Sequence, residues 1–512
     1  MVRTNFPTRI LRYLLLAAFV TIPLLYFSFL PVSYSFDGTV FSHMLRYALQ
    51  KHNLLDVMQI HHLFYFPFNY LIYRVLEALF HYRVLEFFHL QLSSMFFGIT
   101  TLMLVERMLK KLDLTLLMRL IGVTAVAFSY AFWLFSVDAE VHIPGVFFTV
   151  AGLYLLVFRQ IKPWPLVGAA FCFAAAAGFH LTNMLITATV FLYLLYKRAP
   201  WRRFAQFSLA YFTFMALFYG VYAAMSHKPV PTILFNVFFG PNIYTGYSSN
   251  SFKAVTLPTV VSSFASLKHA LVTEAGIWAW IVCAGFLALL AMAFKPANSS
   301  TKTGFRQAMV FWFIPFFLFF TFWDTANIEF KIHALVPLLL IAIAALAQLK
   351  PIVAQVVGIF LSGCLLLVNL LFGIKPQTDI EKNTNYQVAL AIQKATPKNA
   401  QIMIAGNFQG YGYGKIYIPY FAMREVIILD WILGKGRSLP EIYALLKKIS
   451  GSGQPIYTLA EIADPGIAMK HLLNFHHIQE SAFSRFRSGI QFIPAAKLPG
   501  GHLLYRLEFK SP

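Results

Sequence analysis

The sequence contains little charge and few cysteines. Only 12% of its 512 residues are charged, and its three cysteines, Cys172, Cys283 and Cys364, all lie inside apolar runs. Cysteines placed in this way indicate neither a disulfide framework nor a thiolate metal site. Hydrophobic residues make up 59% of the chain, which provides more apolar surface than one water-soluble core can bury. The composition therefore predicts a polytopic α-helical membrane protein.

Acidic residues are also scarce. The chain has 20 Asp and Glu against 41 Lys and Arg, and its formal net charge is +21. A nucleic-acid-binding protein would cluster its basic residues on one face. Here they occupy the amino terminus and short gaps between apolar runs, near residues 107–111, 159–162, 197–203, 295–306 and 350. Short basic loops are typical of the cytoplasmic side, so we expect a cytoplasmic amino terminus and no nucleic-acid partner.

Long apolar runs are abundant. A spanning helix needs roughly 20 mostly apolar residues, and about eleven runs are candidates. They lie near residues 10–30, 87–105, 114–135, 143–158, 165–179, 181–196, 204–225, 275–294, 307–323, 334–349 and 352–374. An odd number of spans places the carboxyl terminus on the exterior side, opposite the amino terminus.

The gaps on the exterior side carry the acids that lie near span ends. The first gap, about residues 31–86, contains two helical stretches near 39–51 and 63–80 whose mixed aromatic and polar residues are typical of interfacial helices. Another gap, about 227–274, holds the Gly-, Asn- and Ser-rich segment "FFGPNIYTGYSSNSF", and this segment is expected to be a mobile loop. The acids of this side are Asp37, Asp138, Glu140, Asp324 and Glu329. Their clustering at one membrane surface predicts a functional site.

Residues 376–512 have a different composition and are predicted to form an exterior, periplasmic α/β domain, after a transmembrane domain of residues 1–375. Helical runs alternate with the short strands "QIMIAG", "EVIILD" and "PIYTLA", a βα pattern typical of a small layered sheet. The segment "GNFQGYGYGK", residues 406–415, fits neither dinucleotide nor nucleotide fingerprints and is interpreted as a glycine-rich turn.

The order of these features resembles the GT-C superfamily of membrane glycosyltransferases, over roughly residues 10–375. The stretches "FSVDAEVHIPGVFF", "GFHLTNML" and "HHLFYFPFNYLIY" are similar to parts of the protein O-mannosyltransferase-like group. The resemblance implies a GT-C fold with about 11 transmembrane helices in a bacterial inner (plasma) membrane. It also implies a polyprenyl-phosphate-linked sugar as donor and a glycan, lipid or protein hydroxyl as acceptor. One departure is that the family often has paired acids in its first loop, whereas Asp37 is followed by Gly38 and Thr39.

Asp37, Asp138 and Glu140 are the predicted catalytic acids. Transfer to a hydroxyl needs a general base, and partial burial can raise the pKa of a carboxylate such as Asp37 toward the working range. Alternatively, Asp37 is a helix N-cap, and Asp138 and Glu140 are solvated loop charges. A third possibility is that the three acids hold a divalent cation, as in oligosaccharide-transferring relatives. Since monosaccharide-transferring relatives generally work without a metal, no cofactor is expected.

A second group of residues is predicted to bind the donor phosphate or substrate. The phosphate gains negative charge as it leaves, and preplaced cations or hydrogen-bond donors stabilise that charge. The candidates are His61, His62, His180, Asn183, Glu329, Lys331 and His333. Each group has an alternative explanation. His61 and His62 would be interfacial residues, and His180 and Asn183 would bond to the backbone of a tight turn. Glu329, Lys331 and His333 would take part in local pairing along a helix.

Two other classes of function compete with glycosyl transfer. A transporter or flippase of lipid-linked sugars would place ionisable residues and broken helices near the bilayer midplane, whereas these apolar runs are mostly free of charge apart from Arg119. A noncatalytic membrane scaffold would not explain why acids and histidines recur in several loops of one surface. Glycosyl transfer is therefore the favoured interpretation.

Overall fold

The computed structural model describes residues 8–55, 57–159, 161–229, 231–233, 254, 256–292, 300–406 and 414–510. It divides into two compact units. The first consists of Met1–Pro31 and Met44–Thr378, and the second of Val32–His43 and Asp379–Pro512. The predicted domain boundary lies close to Thr378, whereas residues 32–43, which the sequence assigned to the first domain, group with the second unit.

The first unit is built from apolar helices. They are α1 (Thr8–Ser28), α3 (Tyr65–Phe80), α4 (Glu86–Lys111), α5 (Leu116–Ala127), α6 (Tyr130–Val137), α7 (His142–Phe158), α8 (Pro163–Phe179), α9 (Ile186–Tyr196), α10 (Trp201–Ser226), α11 (Leu257–Leu271), α12 (Ile277–Met292), α13 (Ser300–Phe322), α14 (Ile332–Leu346) and α15 (Pro351–Val368). Helix α2 (Phe36–Lys51) begins in the residues of the second unit. Pro163 and Pro351 open α8 and α15, positions where the missing N–H of proline has no helical partner to lose.

The chain is a multi-pass membrane protein, and each predicted span coincides with an apolar helix. Among the described residues, five helices are long and apolar enough to cross a membrane, or six if the bent pair α5 and α6 forms one span. Further apolar helices are shorter, between 10 and 17 residues, so the count of about eleven spans stays a prediction. The run predicted near 114–135 is broken by a 66° bend, because Ser129 between the two helices has extended backbone angles.

The predicted exterior gap of about residues 227–274 contains a helix that was not predicted. This helix, α11, begins after Thr256 with a capping box formed by Thr256 and Thr259. These two threonines, followed by buried positions at helical spacing such as Ser263 and Leu267, were the signal that the sequence offered. The segment "FFGPNIYTGYSSNSF" and residues 407–413 lie outside the described residues.

The second unit contains a five-stranded sheet of order β2-β1-β3-β5-β4. The strands are β1 (Gln401–Ile404), β2 (Glu425–Ile428), β3 (Ile456–Leu459), β4 (Ile490–Lys497) and β5 (Leu503–Phe509). Strand β1 is parallel to both β2 and β3, which confirms the predicted βα pattern, while β5 is antiparallel to β3 and β4. The remaining helices are α16 (Thr384–Ala395), α17 (Gly414–Tyr417), α18 (Leu429–Gly434), α19 (Leu439–Gly451), α20 (Ala460–Ala463), α21 (Ile467–Phe475) and α22 (Glu480–Ser488).

Residues 32–43 are tied to the carboxyl-terminal part of the second unit by several contacts. The amide of Asn383 donates to the carbonyl of Val32 at 2.8 Å, and the hydroxyl of Tyr417 donates to the carbonyls of Ser33, at 2.9 Å, and Tyr34. The ring of Tyr34 also packs on Phe421, with 4.9 Å between ring centroids. These bonds explain why a short stretch from early in the sequence belongs to this unit.

Candidate functional site

The two acids of the "SVDAEVH" segment are buried. Asp138 follows α6 and is 6% exposed, and Glu140 is 2% exposed. The Asp138 carboxylate accepts the N–H of Ala139 at 2.8 Å, and the hydroxyl of Ser94 on α4 donates to the carbonyl of Glu140 at 3.1 Å. The interpretation of these acids as solvated loop charges is therefore wrong. Ionisable groups buried in a membrane protein commonly mark a substrate site, which favours a functional role.

Tyr65, at the start of α3, is a neighbour of these acids that was not predicted. Its side chain is fully buried. Burial raises the pKa of Tyr65 well above its ordinary value, and the charges of Glu140 and then Asp138 raise it further. The phenol therefore stays protonated and can donate a hydrogen bond.

Three imidazole rings come together from separate parts of the first unit, and we call His62, His142 and His180 the histidine cluster. The rings of His62 and His180 are 5.0 Å apart, and those of His180 and His142 are 4.6 Å apart, between centroids. Phe330 packs its ring on His142 at 5.3 Å and on His180 at 6.1 Å. His142 was not predicted, although it ends the "SVDAEVH" segment and follows Glu140 by two positions.

Hydrogen bonds determine which nitrogen carries the proton in two rings of the cluster. Nδ1 of His62 lies 3.3 Å from the carbonyl of Phe179, which can only accept, so this nitrogen donates. Nδ1 of His180 accepts the backbone N–H of Thr182 at 3.3 Å, so the proton of a neutral His180 is on Nε2. Burial lowers the pKa of His62 to about 4 and that of His180 well below its ordinary value. Both rings are therefore neutral near pH 7, and His180 presents an N–H donor.

Glu329 joins the histidine cluster through His142. Its Oε1 lies 3.8 Å from Nε2 of His142 and accepts the side-chain amide of Asn327 at 2.7 Å. One ligand atom each from Glu140, His142 and Glu329 lie within 4.8 Å of one another. Two carboxylates and an imidazole are suitable ligands for a divalent cation, so these residues fit a metal. The expectation that no cofactor is needed stays a prediction.

Lys331 is buried, and its amine bonds to protein oxygens. The amine donates to the hydroxyl of Ser263 at 3.0 Å and to the carbonyls of Phe320 at 3.2 Å and Asp324 at 3.5 Å. The predicted local pairing of Lys331 with Asn327 is not among these contacts, and the Asn327 amide donates to Glu329 instead. The described contacts therefore give Lys331 a structural explanation and do not bring it to the histidine cluster.

The other predicted binding residues have different surroundings. His333 is buried and stacks on Phe316 with 4.7 Å between ring centroids, and neither of its ring nitrogens has a hydrogen-bond partner within the described part of the chain. His61 is half-buried, and burial lowers its pKa. Asn183 is buried and donates to the carbonyl of Ala176 at 2.9 Å, which supports the tight-turn interpretation of this residue.

The turn that carries His180 is fixed by close packing between α7 and Asn183. A Cβ at Gly145 would overlap the amide nitrogen of Asn183, so only glycine at this position lets the two approach. The backbone N–H of Asn183 also donates to the carbonyl of His180 at 3.0 Å. Asn183 therefore positions His180 through the backbone and does not need to touch a ligand.

Asp37 belongs to the residues of the second unit and lies in the first turn of α2. The helix is capped by Ser35, whose hydroxyl accepts the N–H of Gly38 at 3.2 Å and whose carbonyl accepts the N–H of Thr39 at 3.0 Å. The N-cap interpretation of Asp37 is therefore wrong. The Asp37 side chain keeps contact with solvent, but the protein around it desolvates the carboxyl and raises its pKa.

Comparison with known proteins shows a likeness of fold. No protein-family model and no curated protein matches the chain. The structure of ArnT from Cupriavidus metallidurans in the apo state matches with a TM-score of 0.64 at 11% identity, over 96% of this chain and 97% of ArnT. The structure of the same protein bound to undecaprenyl phosphate matches with a TM-score of 0.63 at 11% identity, over the same shares of the two chains.

A larger protein has the same fold over part of its length. Arabinofuranosyltransferase AftD from Mycobacteria matches with a TM-score of 0.55 at 13% identity, over 96% of this chain and 40% of AftD. At such low identity the likeness shows the fold, and it confirms the predicted fold class, a polytopic α-helical membrane protein with a carboxyl-terminal α/β domain. The finer resemblance to the protein O-mannosyltransferase-like group stays a prediction.

Proposed function

We propose that this protein is a membrane glycosyltransferase that moves a sugar from a polyprenyl-phosphate carrier to an acceptor hydroxyl on the exterior face of the membrane. The observation that carries the proposal is the likeness of fold, over 96% of the chain, to a structure that holds undecaprenyl phosphate. The convergence of histidines and buried acids in the first unit supports it, because such groups are costly inside a membrane protein unless they are used.

The histidine cluster is the proposed binding site for the donor phosphate. The N–H of His180 at Nε2 is held in place by the turn around Thr182 and can donate to a phosphate oxygen. As the bond between the sugar carbon and the phosphate oxygen breaks, negative charge grows on that oxygen, and a preplaced donor stabilises it. A bound anion also favours protonation of the neighbouring imidazoles. Lys331 is left out of this site, since its amine already donates to three protein oxygens.

Asp37 is the proposed general base. The acceptor oxygen attacks the sugar carbon, the acceptor proton passes to the Asp37 carboxylate, and the polyprenyl phosphate leaves with the electrons of the broken bond. Desolvation raises the pKa of Asp37, and this increases its basicity in the deprotonated form. Asp138 and Glu140 are proposed to orient the donor sugar, with Tyr65 as an additional hydrogen-bond donor.

The reaction is proposed to run without a metal. Should a divalent cation bind, Glu140, His142 and Glu329 would hold it, and the cation would neutralise charge on the phosphate. We further propose that the amino terminus is cytoplasmic, that the carboxyl-terminal domain is exterior, and that the protein lies in a bacterial inner membrane.

The test uses purified protein in sealed vesicles that contain a polyprenyl-phosphate sugar with a radiolabelled sugar. A glycosyltransferase releases the label from the lipid, to an acceptor or to water, and His180→Gln slows that release. Thr182→Val, which removes only the hydroxyl next to His180, is the milder control. Movement of the intact labelled lipid across the bilayer, without cleavage, would instead establish a flippase.

A further inference from the structure

The parallel strands of the second unit end at one edge of the sheet, and polar residues follow them there. In the sheet order β2-β1-β3, the chain continues from β1 to β2 on one side of β1. Strand β3 pairs with β1 on its other side. Ligands of doubly wound sheets bind where the carboxyl ends of such strands diverge. Asp430 comes two residues after β2, and Glu461 comes two residues after β3. We call this the carboxyl edge of the sheet.

The carboxyl edge is held together by backbone and carboxylate bonds. The N–H of Ala405, next after β1, donates to Oε1 of Glu461 at 2.7 Å, and the N–H of Asp430 donates to the carbonyl of Ala405 at 2.9 Å. Gly406 has φ of +147°, and a Cβ there would lie 2.6 Å from the Cβ of Asp430. Glycine is therefore required where these two loops meet. Three strand ends are thereby fixed within a small area.

Asp430 bonds to a histidine and interacts electrostatically with a lysine. Nε2 of His476 is 2.7 Å from Oδ1 of Asp430, and the two side chains are 12% and 17% exposed. The amine of Lys415 lies 5.9 Å from the ring centre of Trp431. Burial lowers the pKa of Lys415, and the charge of Asp430 raises it in part. The carboxyl edge therefore offers hydrogen-bond acceptors and donors close together.

Two large aromatic side chains flank this polar group. Trp431 follows Asp430 in the chain and is 54% exposed, and Phe475 precedes His476 and is 66% exposed. Single exposed apolar residues need no explanation. Here, however, each aromatic residue adjoins one member of the Asp430–His476 pair. Flat apolar faces beside hydroxyl-binding groups suit a ligand whose ring has an apolar C–H face and polar edges.

The charges at the carboxyl edge decide between classes of ligand. A phosphate would meet the carboxylate of Asp430, whose charge offsets that of Lys415, and the N–H of Ala405 that would otherwise bind it is taken by Glu461. Glu461 is half-buried, and burial raises its pKa to about 7. In the described part of the chain, the only three-ligand group suited to a metal lies in the first unit. A neutral ligand with many hydroxyl groups fits better than an anion or a metal ion.

We propose that the carboxyl edge, with Trp431, Asp430, His476 and Lys415, is a binding site for a neutral saccharide. The position of this site within the second unit indicates the role of the saccharide in the reaction. The amine of Lys415 also lies 5.0 Å from the ring centre of Phe36, the residue before Asp37. The saccharide is therefore the acceptor, or the part of the acceptor next to the reacting hydroxyl. This last step rests on the function proposed above.

The experiment measures binding to the full-length protein in nanodiscs, with no donor present. The probes are neutral hexasaccharides of glucose, mannose and arabinose, and the signal is saturation transferred from the protein to sugar C–H protons. We expect at least one probe to bind, and both Trp431→Ala and Asp430→Asn to weaken that binding by about tenfold. Trp431→Phe keeps an aromatic face and should retain part of the affinity.

Two matched control variants change exposed residues of the same types away from the carboxyl edge. Trp164→Ala removes a tryptophan that is 83% exposed in the first unit, and Glu508→Gln removes an exposed carboxylate on β5. Neither should alter binding. Variants are compared only when their thermal unfolding shows that they are folded.

Three results would overturn the proposal: no saccharide binds, binding is unaffected by Trp431→Ala and Asp430→Asn, or inorganic phosphate displaces the saccharide. Saccharide binding in a protein that never cleaves the donor would leave this site in place and contradict the proposed function. Donor cleavage by a protein that binds no saccharide at the carboxyl edge would support the proposed function and contradict this binding site.

Discussion

Replacement of Lys331 by methionine separates a structural lysine from a phosphate-binding one. Methionine has a similar length and leaves no charge. The hydroxyl of Ser263 keeps a partner, because it also lies 2.7 Å from the hydroxyl of Thr321. The carbonyls of Phe320 and Asp324 each lose a donor. A buried acceptor left without a partner costs about 1–3 kcal/mol, and removal of a buried charge offsets part of that cost. We expect a net loss of about 2 kcal/mol in the free energy of unfolding.

The assay compares the thermal unfolding midpoint in detergent with the KM for a polyprenyl-phosphate sugar. If Lys331 is structural, Lys331→Met lowers the unfolding midpoint and leaves the KM of the molecules that stay folded nearly unchanged. Lys350→Met, at an exposed lysine before α15, should change neither quantity. A tenfold rise in KM with an unchanged midpoint would contradict a structural role and assign Lys331 to the donor site.

Three other predictions concern the metal, the turn at His180 and the topology. Transfer should persist in EDTA; complete loss that manganese or magnesium restores would assign a cation to the group containing Glu329. Gly145→Ala should lower the free energy of unfolding by about 1–3 kcal/mol, because the new methyl group overpacks Asn183. Gly363→Ala, where no atom lies within 4 Å of the new Cβ, should be neutral or stabilising, and equal effects of the two changes would contradict the packing argument. A cysteine at Lys510 should react with an impermeant reagent added outside intact cells; labelling only after permeabilisation would reverse the topology.

The positions of the apolar helices and of the three parallel strands could be predicted from the sequence, because lipid and a buried sheet both demand long or alternating apolar patterns. The bend at Ser129 could not, since serine is common inside helices and its extended backbone depends on the surrounding packing. Helix α11 was missed because its polar residues, such as Ser263, bond to other helices, which a sequence pattern does not reveal.

The candidate site could be predicted from the sequence only in part. Acids and histidines in exterior loops indicated a functional surface, and the structure brings His62 and His180 together. Periodicity gives no information on contacts between distant loops, so His142 and Tyr65 were not predicted. The protein partners of Lys331 and the bonds that join residues 32–43 to the second unit are long-range contacts of the same kind.

Glycosyl transfer with Asp37 as the base is tested by the release of labelled sugar from a polyprenyl-phosphate donor by purified wild-type protein and by Asp37→Asn. Because Ser35 caps α2, the substitution should leave the unfolding midpoint nearly unchanged. Loss of a general base should lower turnover by about 100- to 10,000-fold. Wild-type turnover should also fall with decreasing pH as Asp37 becomes protonated, at a pH above the ordinary carboxyl range, because desolvation by the surrounding protein raises its pKa. We expect the wild-type protein to cleave the donor and the Asp37→Asn variant to be folded and nearly inactive. A wild-type protein that leaves the donor intact would contradict glycosyl transfer, and a variant that turns over as fast as the wild type would contradict the role of Asp37 as the base.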